Sequence, residues 1–334
     1  MIAAAGLDRL IGDPLWLPHP VVWMGRCITI LRRSIEHWSG EHSQWLRLGG
    51  LAITLVLTLG SASIGWLIER SALQTHGVLR NVAVLALVAG LASSLAAKSL
   101  EQSVLNVIAA LPCEEGGDLS AARQQLSWIV GRDTTSLSGD DILRATAETA
   151  SENAVDGLFA PLFWMLVGAA LWSLGLTDAP GPLALAWGFK AASTLDSMLG
   201  YRRGKLRWLG TAGARLDDLL TWLPCRLVML SLPLVSRPWR QWPALVRSAE
   251  SDGQHDASPN AGRSEAIYAH CAGVQLGGRN RYGDRWVDKP LLGADHPKAD
   301  PQGINKILAL TGRLELLWIL IAALLSWSLQ ACVQ

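Results

Sequence analysis

The sequence predicts an all-α, polytopic membrane protein with about five transmembrane helices, one broken or re-entrant helix, and helical cytoplasmic loop domains. Half of the 334 residues are hydrophobic and 17% are charged, whereas soluble domains carry roughly 25% charged residues. The chain has 16 tryptophans but only three phenylalanines and three tyrosines, and tryptophan favours the membrane–water interface. Several long stretches contain no charged side chain, as expected of helices that lie in lipid.

Uncharged stretches of about twenty residues are long enough to cross a bilayer as helices. The stretch 81–97 is shorter, but Arg80 and Lys98 flank it, and their long side chains can reach the interface. A fourth stretch is apolar enough for a span although it contains Lys190 and Asp196. The five predicted spans cover residues 49–68, 81–97, 157–177, 183–200 and 316–334.

Residues 216–235 are expected to dip into the membrane and return. Pro224 and Arg226 lie in the middle of this stretch, and proline removes a helix hydrogen bond. A broken helix whose open backbone faces protein or water therefore fits better than a clean span. This topology places most lysines and arginines in the cytoplasm, including the loops 98–156 and 236–314. The whole chain, residues 1–334, is treated as a single membrane-embedded domain.

The most informative stretch is RATAETASENAVDGLFAPLFW, residues 144–164. Glu148, Glu152 and Asp156 recur every fourth residue and would lie along one face of a helix. Like charges at this spacing repel one another, so a cationic partner is expected opposite them. The alternative is a solvated helix end.

A second acidic pair, Asp217 and Asp218, follows Arg215 at the start of the stretch 216–235. Acidic residues favour a helix N-terminus through its dipole, which is a sufficient structural explanation. Near the first three carboxylates, this pair would also make a magnesium site of hard oxygen ligands, completed by phosphates and water.

Charged residues elsewhere have both a structural and a functional interpretation. Lys190 and Asp196 each need a partner from another helix, which could be an ion pair or a substrate. Arg132 and Asp133 follow a glycine and could form a local salt bridge at a helix end or contact a phosphate.

Two further segments could position a ligand. Ser258 or Asn260 is expected to cap a helix start. In VQLGGRNRYG, Gly277 and Gly278 would let a phosphate approach the backbone, with Arg279 as a bidentate donor. Two glycines beside an arginine also occur in many ordinary loops.

Composition and the absence of several known motifs exclude certain classes of partner, metal site and enzyme. A net charge of +1 offers no basic field, so nucleic acid is not an expected partner. The five cysteines are scattered without a C-x-x-C pair, which predicts neither a disulfide framework nor a zinc site. The chain contains no P-loop, H-E-x-x-H, G-x-S-x-G or G-x-G-x-x-G motif.

Eight sequence blocks follow one another along the chain: DRLIGDP…LPHPV…GR, IVGRDT, ETASENAVDG, APLFW, FKAASTLDSMLGY, ARLDDLLTWLPCRL, SPNAG, and QLGG followed by N and YG. Taken together, these blocks closely resemble those of the CbiB/CobD family of adenosylcobinamide-phosphate synthases, which are inner-membrane enzymes of cobalamin biosynthesis. The resemblance covers roughly residues 8–293. Members of that family carry an apolar helix before the first block, whereas only seven residues precede Asp8 here.

The resemblance implies a ligase that joins adenosylcobyric acid to an amino-alcohol phosphate, either (R)-1-aminopropan-2-ol O-phosphate or ethanolamine phosphate. ATP and Mg²⁺ are the expected cofactors, because a carboxylate must be activated before an amine can attack it. The expected location is the bacterial inner membrane, with the active site facing the cytoplasm. A homo-oligomer or an assembly with other cobalamin-biosynthesis proteins is left open.

The resemblance also suggests roles for the motif residues. The expected metal ligands come from Glu148, Glu152, Asp156, Asp217 and Asp218. The expected catalytic residues are Lys190, Arg132 and Arg215, which would neutralise phosphate or carboxylate charge, and Asp196 as the base that deprotonates the amine. The expected substrate or nucleotide contacts are Asn153, Asp133, Ser258, Asn260, Gly277, Gly278, Arg279 and Tyr282.

Two other functions remain as alternatives. The first is a non-catalytic membrane sensor resembling AmpE, against which the full set of charged motif residues argues. The second is a corrinoid transporter, with Lys190 and Asp196 lining a pathway. The sequence contains no inverted repeat of the kind that would support transport.

Overall fold

The computed structural model of the chain describes residues 1–13, 19–114, 116–236, 239–282 and 285–333. Part of the predicted motif between Asp8 and His19 therefore lies outside the described residues, as does position 334 of the last predicted span. The side chain of Tyr282, a predicted substrate contact, also lies outside the description.

Helices make up most of the described chain, which confirms the all-α prediction. The helices are α1 (Ile2–Ile11), α2 (Pro20–Ser39), α3 (Ser43–Gln74), α4 (Gly77–Ala92), α5 (Ala97–Ala109), α6 (Ser120–Ser127), α7 (Gly139–Ala154), α8 (Ala160–Ser173), α9 (Pro182–Leu199), α10 (Leu206–Leu209), α11 (Thr211–Val235), α12 (Trp242–Gly253), α13 (Ala261–Ala272) and α14 (Pro301–Val333). A π-helix spans Val155–Phe159 and a short 3₁₀ turn spans Trp239–Gln241.

Among the described residues, five helical stretches are long and apolar enough to cross a membrane, which confirms the predicted number. The predicted span 183–200 forms α9 but is not one of the five, because Lys190 and Asp196 lower its hydropathy. The stretches are Ser43–Gln74, Gly77–Ala109, Gly139–Ser173, Thr211–Val235 and Pro301–Leu325.

The predicted break at Pro224 does not occur, because α11 runs without interruption through that proline. Proline has no N–H to donate to the carbonyl four residues earlier, which here belongs to Leu220. The indole Nε1 of Trp164 donates to that Leu220 carbonyl at 3.2 Å. A side chain from another helix thus satisfies the acceptor that proline leaves open, and α11 has the length and hydropathy of a span.

The loop 236–314, predicted as helical, also contains a two-stranded antiparallel hairpin of β1 (Leu276–Tyr282) and β2 (Arg285–Leu292). Gly277 and Gly278 have φ values of +80° and +87°, and the pairing register shifts between them. A Cβ on Gly277 would lie 1.9 Å from the carbonyl oxygen of Pro290. Only glycine fits this bulge, so the glycine pair has a backbone role in the fold.

The chain divides into two compact units, whereas the sequence predicts a single membrane-embedded domain. The first unit contains Met1–Ala96, Asp156–Thr221 and Ile319–Gln334, and the second contains Ala97–Val155 and Trp222–Trp318. The core of the first unit includes Met24 and Ile28 of α2, Ile53 of α3 and Leu195 of α9. In the second unit, α5, α6 and α7 pack around Val107, Leu126 and Ile142.

A buried carboxylate fixes the start of α9 in the first unit. Glu69, on α3, is fully buried and accepts the backbone N–H groups of Gly181, Leu183 and Ala184 at 3.0, 2.5 and 3.2 Å. The first N–H groups of a helix have no partner within the helix and carry partial positive charge. Glu69 therefore caps α9 from another helix and fixes the segment that carries Lys190.

Candidate functional site

The second unit contains a buried salt-bridge cluster centred on Glu148 of α7. Arg132 Nη2 lies 2.6 Å from Glu148 Oε2, and both side chains are 6% exposed. Arg144 Nη1 lies 3.2 Å from Oε1, and the backbone N–H of Gly277 donates to Oε1 at 3.0 Å. The cationic partner that the sequence predicts for this acidic face is therefore a pair of arginines.

Arg144 ties α7 to the hairpin. Its Nη1 donates to the Gly277 carbonyl at 2.7 Å and to Asn280 Oδ1 at 2.9 Å. Its Nη2 donates to the Arg279 carbonyl at 3.1 Å and to Asp141 Oδ1 at 3.0 Å. One guanidinium thus sets the position of the glycine bulge and of the strand that carries Arg279.

These contacts decide whether Glu148 can be a ligand of the predicted magnesium site. Both oxygens of Glu148 accept from Arg132, Arg144 and Gly277, so its geometry is that of a counter-ion. Within the described part of the chain, no three His, Cys, Asp or Glu side chains form a group that could hold a metal ion. The π-helix at Val155–Phe159 also ends the regular spacing, because Asp156 lies in a wider helical turn.

A second buried cluster surrounds Lys289 of β2. Its Nζ lies 3.3 Å from Asp256 Oδ2 and 3.3 Å from Glu265 Oε1 of α13. The Glu265 side chain is 1% exposed, and its Oε2 accepts no hydrogen bond from the residues that the structure describes. The same holds for the buried Nδ2 of Asn280, which donates to no described residue.

The charges of this cluster act strongly on one another. Burial raises the pKa of Glu265, and although Lys289 opposes that shift, Glu148, Glu152 and Asp256 add to it. Burial alone would lower the pKa of Lys289, but Glu265, Glu152, Asp256 and Glu148 outweigh it and raise the pKa. Lys289 is therefore protonated at neutral pH, and its Nζ contacts Asp256 and Glu265.

The SPNAG segment precedes α13 and is connected to both α11 and Lys289. Arg226 Nη1 donates to Asn260 Oδ1 at 2.5 Å and its Nη2 donates to the Pro259 carbonyl at 2.9 Å. Ser258 Oγ accepts the N–H of Asn260 at 3.2 Å, as a capping residue does, whereas Asn260 makes no side-chain cap. Asp256 Oδ1 in turn accepts the N–H of Ser258 at 2.9 Å.

Three other residues that the sequence predicts as substrate contacts also lie in this unit. Asp133 closes a local turn, because its Oδ1 accepts both the N–H and the hydroxyl of Thr135 at 2.9 and 2.7 Å. The Arg279 side chain is 65% exposed and lies over Trp286, with Cζ 4.8 Å from the ring centroid. Asn153 is half-buried on α7.

The remaining predicted residues belong to the first unit. Lys190 on α9 is subject to the charges of Asp8, Asp13, Asp156 and Asp217. Four carboxylates of the same unit therefore act on the charge of this lysine.

Asp196, also on α9, is subject to the like charge of Asp218. Arg215 is exposed. The predicted acidic set is therefore distributed over both units, with Glu148 and Glu152 in the second and Asp156, Asp217 and Asp218 in the first.

Sequence reasoning missed Arg144, Asp256, Glu265 and Lys289. Arg144 could have been predicted from the sequence, because it precedes Glu148 by four residues and could pair with it on a helix. The sequence also marks Glu265, because this charged residue is followed by Ala266 and Ile267 within α13. Lys289 becomes visible only once β1 pairs with β2 and brings it beside α13.

Comparisons with known proteins show which family the chain belongs to. A family model described as CobD/Cbib protein matches residues 1–311. The chain is 45% identical over 291 residues to the cobalamin biosynthesis protein CobD of Synechocystis, covering 87% of this chain and 80% of the relative. It is 39% identical to CobD of Yersinia enterocolitica, covering 95% of this chain and 94% of the relative.

The chain is also 37% identical over 317 residues to the cobalamin biosynthesis protein CbiB of Salmonella typhimurium, covering 94% of this chain and 90% of the relative. No solved structure matches it. The match along most of the chain, with relatives that share more than a third of its residues, establishes the family. The chain belongs to the CobD/CbiB family of cobalamin biosynthesis proteins.

Proposed function

We propose that this protein is an ATP-dependent carboxylate–amine ligase of the bacterial inner membrane, with its active site facing the cytoplasm. Its substrates would be adenosylcobyric acid and an amino-alcohol phosphate, and its product would be adenosylcobinamide phosphate. The family supports a role in cobalamin biosynthesis, and five helices of spanning length support a multi-pass membrane protein.

The observation that carries the proposal is the meeting of separate motif blocks within the second unit. Arg132 of IVGRDT and Glu148 of ETASENAVDG form one ion pair, and Gly277 of QLGG donates to the same carboxylate. Asp256, two residues before the serine of SPNAG, binds Lys289, and Lys289 of β2 lies opposite Gly278 of QLGG in the hairpin. Blocks more than a hundred residues apart in sequence thus meet within one unit, as expected of an active site.

Amide formation requires charges that are fixed in place before the reaction. Hydrogen bonds hold Arg132 against Glu148, and Arg144 binds the backbone carbonyl of Arg279. The exposed guanidinium of Arg279 is therefore the cation of this group that can reach a phosphate. Fixed cations stabilise the charge that develops on transferring phosphoryl groups.

ATP, when bound, would supply the phosphoryl or adenylyl group that turns the corrinoid carboxylate into an acyl electrophile. Magnesium takes carboxylate oxygens, water and substrate phosphates as ligands. Asp156, Asp217 and Asp218, all of the first unit, carry the oxygen atoms for this role, but the described residues form no group of three that could hold the ion. Glu148 is not a ligand in this proposal, because its oxygens already accept from two arginines and a backbone N–H.

The test is amide formation by the purified full-length protein in detergent. We expect the corrinoid to gain the mass of the amino-alcohol phosphate only when ATP and magnesium are both present. Arg279→Gln should lower the rate at least about tenfold, whereas the matched control Lys306→Gln, an exposed lysine of α14, should not. Corrinoid binding or movement across vesicles without any such product would instead favour a sensor or a transporter.

A further inference from the structure

A cleft of about 500 Å³ lies in the second unit, lined by residues that the Glu148 and Lys289 clusters do not use. Its volume falls within the range of about 300–1,000 Å³ of small-molecule sites. Two alanines line it together with six polar residues, which are Arg247, Ser248, Ser251, Asp252, His270 and Asp295. The charged and hydroxyl groups among these suit a small charged ligand.

Asp252 is held in a fixed orientation at this cleft. Its Oδ2 lies 2.9 Å from His270 Nε2 and accepts the backbone N–H of Gly293 at 2.9 Å. Both contacts go to the same oxygen, so neither uses Oδ1. A carboxylate fixed in this way at the edge of a cleft presents a ready acceptor to a ligand with N–H groups.

The cleft also presents donors for an anion. Ser248 and Ser251 are three residues apart on α12, and Arg247 and Ser251 are four apart, so the three side chains share one face of the helix. Arg247 is exposed, and its Nε bonds only within its own helix, to the Pro243 carbonyl at 3.1 Å. Its Nη1 and Nη2 atoms are therefore not used by that bond. A guanidinium beside two hydroxyls is a typical phosphate environment.

We propose that this cleft binds the amino-alcohol phosphate, a small zwitterion that carries one ammonium and one phosphate group. Arg247, Ser248 and Ser251 bind the phosphate, and Asp252 and Asp295 bind the ammonium. The assignment rests on the proposed function, since it locates one of the two substrates of that reaction. Binding of this zwitterion to the cleft requires no other substrate, so it can be tested separately from amide formation.

The test is calorimetric titration of the full-length protein in detergent, without ATP or corrinoid. Ethanolamine phosphate should bind more tightly than either inorganic phosphate or ethanolamine, because only the zwitterion uses both ends of the cleft. Arg247→Gln and Asp295→Asn change exposed side chains and should each weaken binding at least about tenfold. The control Lys306→Gln, outside the cleft, should bind as the wild type does.

Unchanged binding in both cleft variants would overturn the assignment, as would equal affinity for inorganic phosphate and ethanolamine phosphate. The two proposals fail separately. If the wild type forms the amide but Arg247→Gln keeps the wild-type KM for the amine, the cleft assignment is wrong and the ligase stands. If the titration succeeds and no amide forms, the cleft stands and the ligase is wrong.

Discussion

Replacing Glu148 with alanine tests the buried network most sharply. The change leaves Arg132, whose side chain is 6% exposed, with no carboxylate within salt-bridge distance among the described residues. It also removes an acceptor from Arg144 and from the Gly277 N–H. Breaking a buried ion pair from one side costs about 3–5 kcal/mol, and an unpaired buried N–H costs about 1–3 kcal/mol.

These costs are not additive, because Arg144 keeps Asp141 and three hairpin oxygens as acceptors. We therefore expect Glu148→Ala to lower the free energy of unfolding by about 3–5 kcal/mol. Denaturant titration in a fixed detergent, followed by tryptophan fluorescence, measures the change. Glu114→Gln alters an exposed carboxylate and is the matched control.

The double variant Arg132→Met, Glu148→Leu provides the complementary test. Replacing a buried pair by apolar residues of similar volume is often neutral or stabilising. The double variant should therefore unfold closer to the wild type than Glu148→Ala does. A loss of less than about 0.5 kcal/mol in Glu148→Ala, or a loss that appears only when magnesium is present, would refute the counter-ion role and favour a metal ligand.

Three further predictions concern other parts of the molecule. Glu69→Gln removes the charge that caps α9 and should cost about 1.5–3 kcal/mol by denaturant titration; a smaller loss would mean that the cap is dispensable. Trp164→Phe should cost about 1–3 kcal/mol, and much less in a Pro224→Ala background, where the restored N–H can bond the Leu220 carbonyl; equal costs in both backgrounds would contradict our account of α11. The pKa of Glu265 is raised in the folded protein above its ordinary value of 4.5. The stability that Glu265 contributes is therefore fully present below pH 4.5 and is lost as the pH rises through the raised pKa. Glu265→Gln should therefore lose less Tm than the wild type between about pH 5 and about pH 7, and parallel pH profiles would show that Glu265 does not titrate there.

The sequence predicted the parts of the fold that depend on local composition. Uncharged stretches located four of the five helices of spanning length, because lipid requires about twenty apolar residues whatever the neighbours are. It erred at Pro224, since the compensating Trp164 indole comes from a helix sixty residues earlier. It erred at the hairpin because Gly277 and Gly278 read as a loop until their strand partner is known.

Charged residues in the candidate site were found more readily than their partners. Arg132, Glu148 and Gly277 were all singled out, and the structure joins them. Their separate expected roles as phosphate contact, metal ligand and phosphate cradle did not reveal that they bond to one another. Lys289 was missed because pairing across strands, which no local pattern encodes, brings it to Glu265.

The activation of the corrinoid carboxylate by ATP is the central chemical claim, and isotope transfer tests it directly. Adenosylcobyric acid labelled with oxygen-18 in the reacting carboxylate is incubated with ATP, ethanolamine phosphate and the wild-type protein. The account predicts that each amide formed leaves one labelled oxygen in the inorganic phosphate or AMP released from ATP. Amide formation with the label recovered in water, or without consumption of ATP, would contradict it.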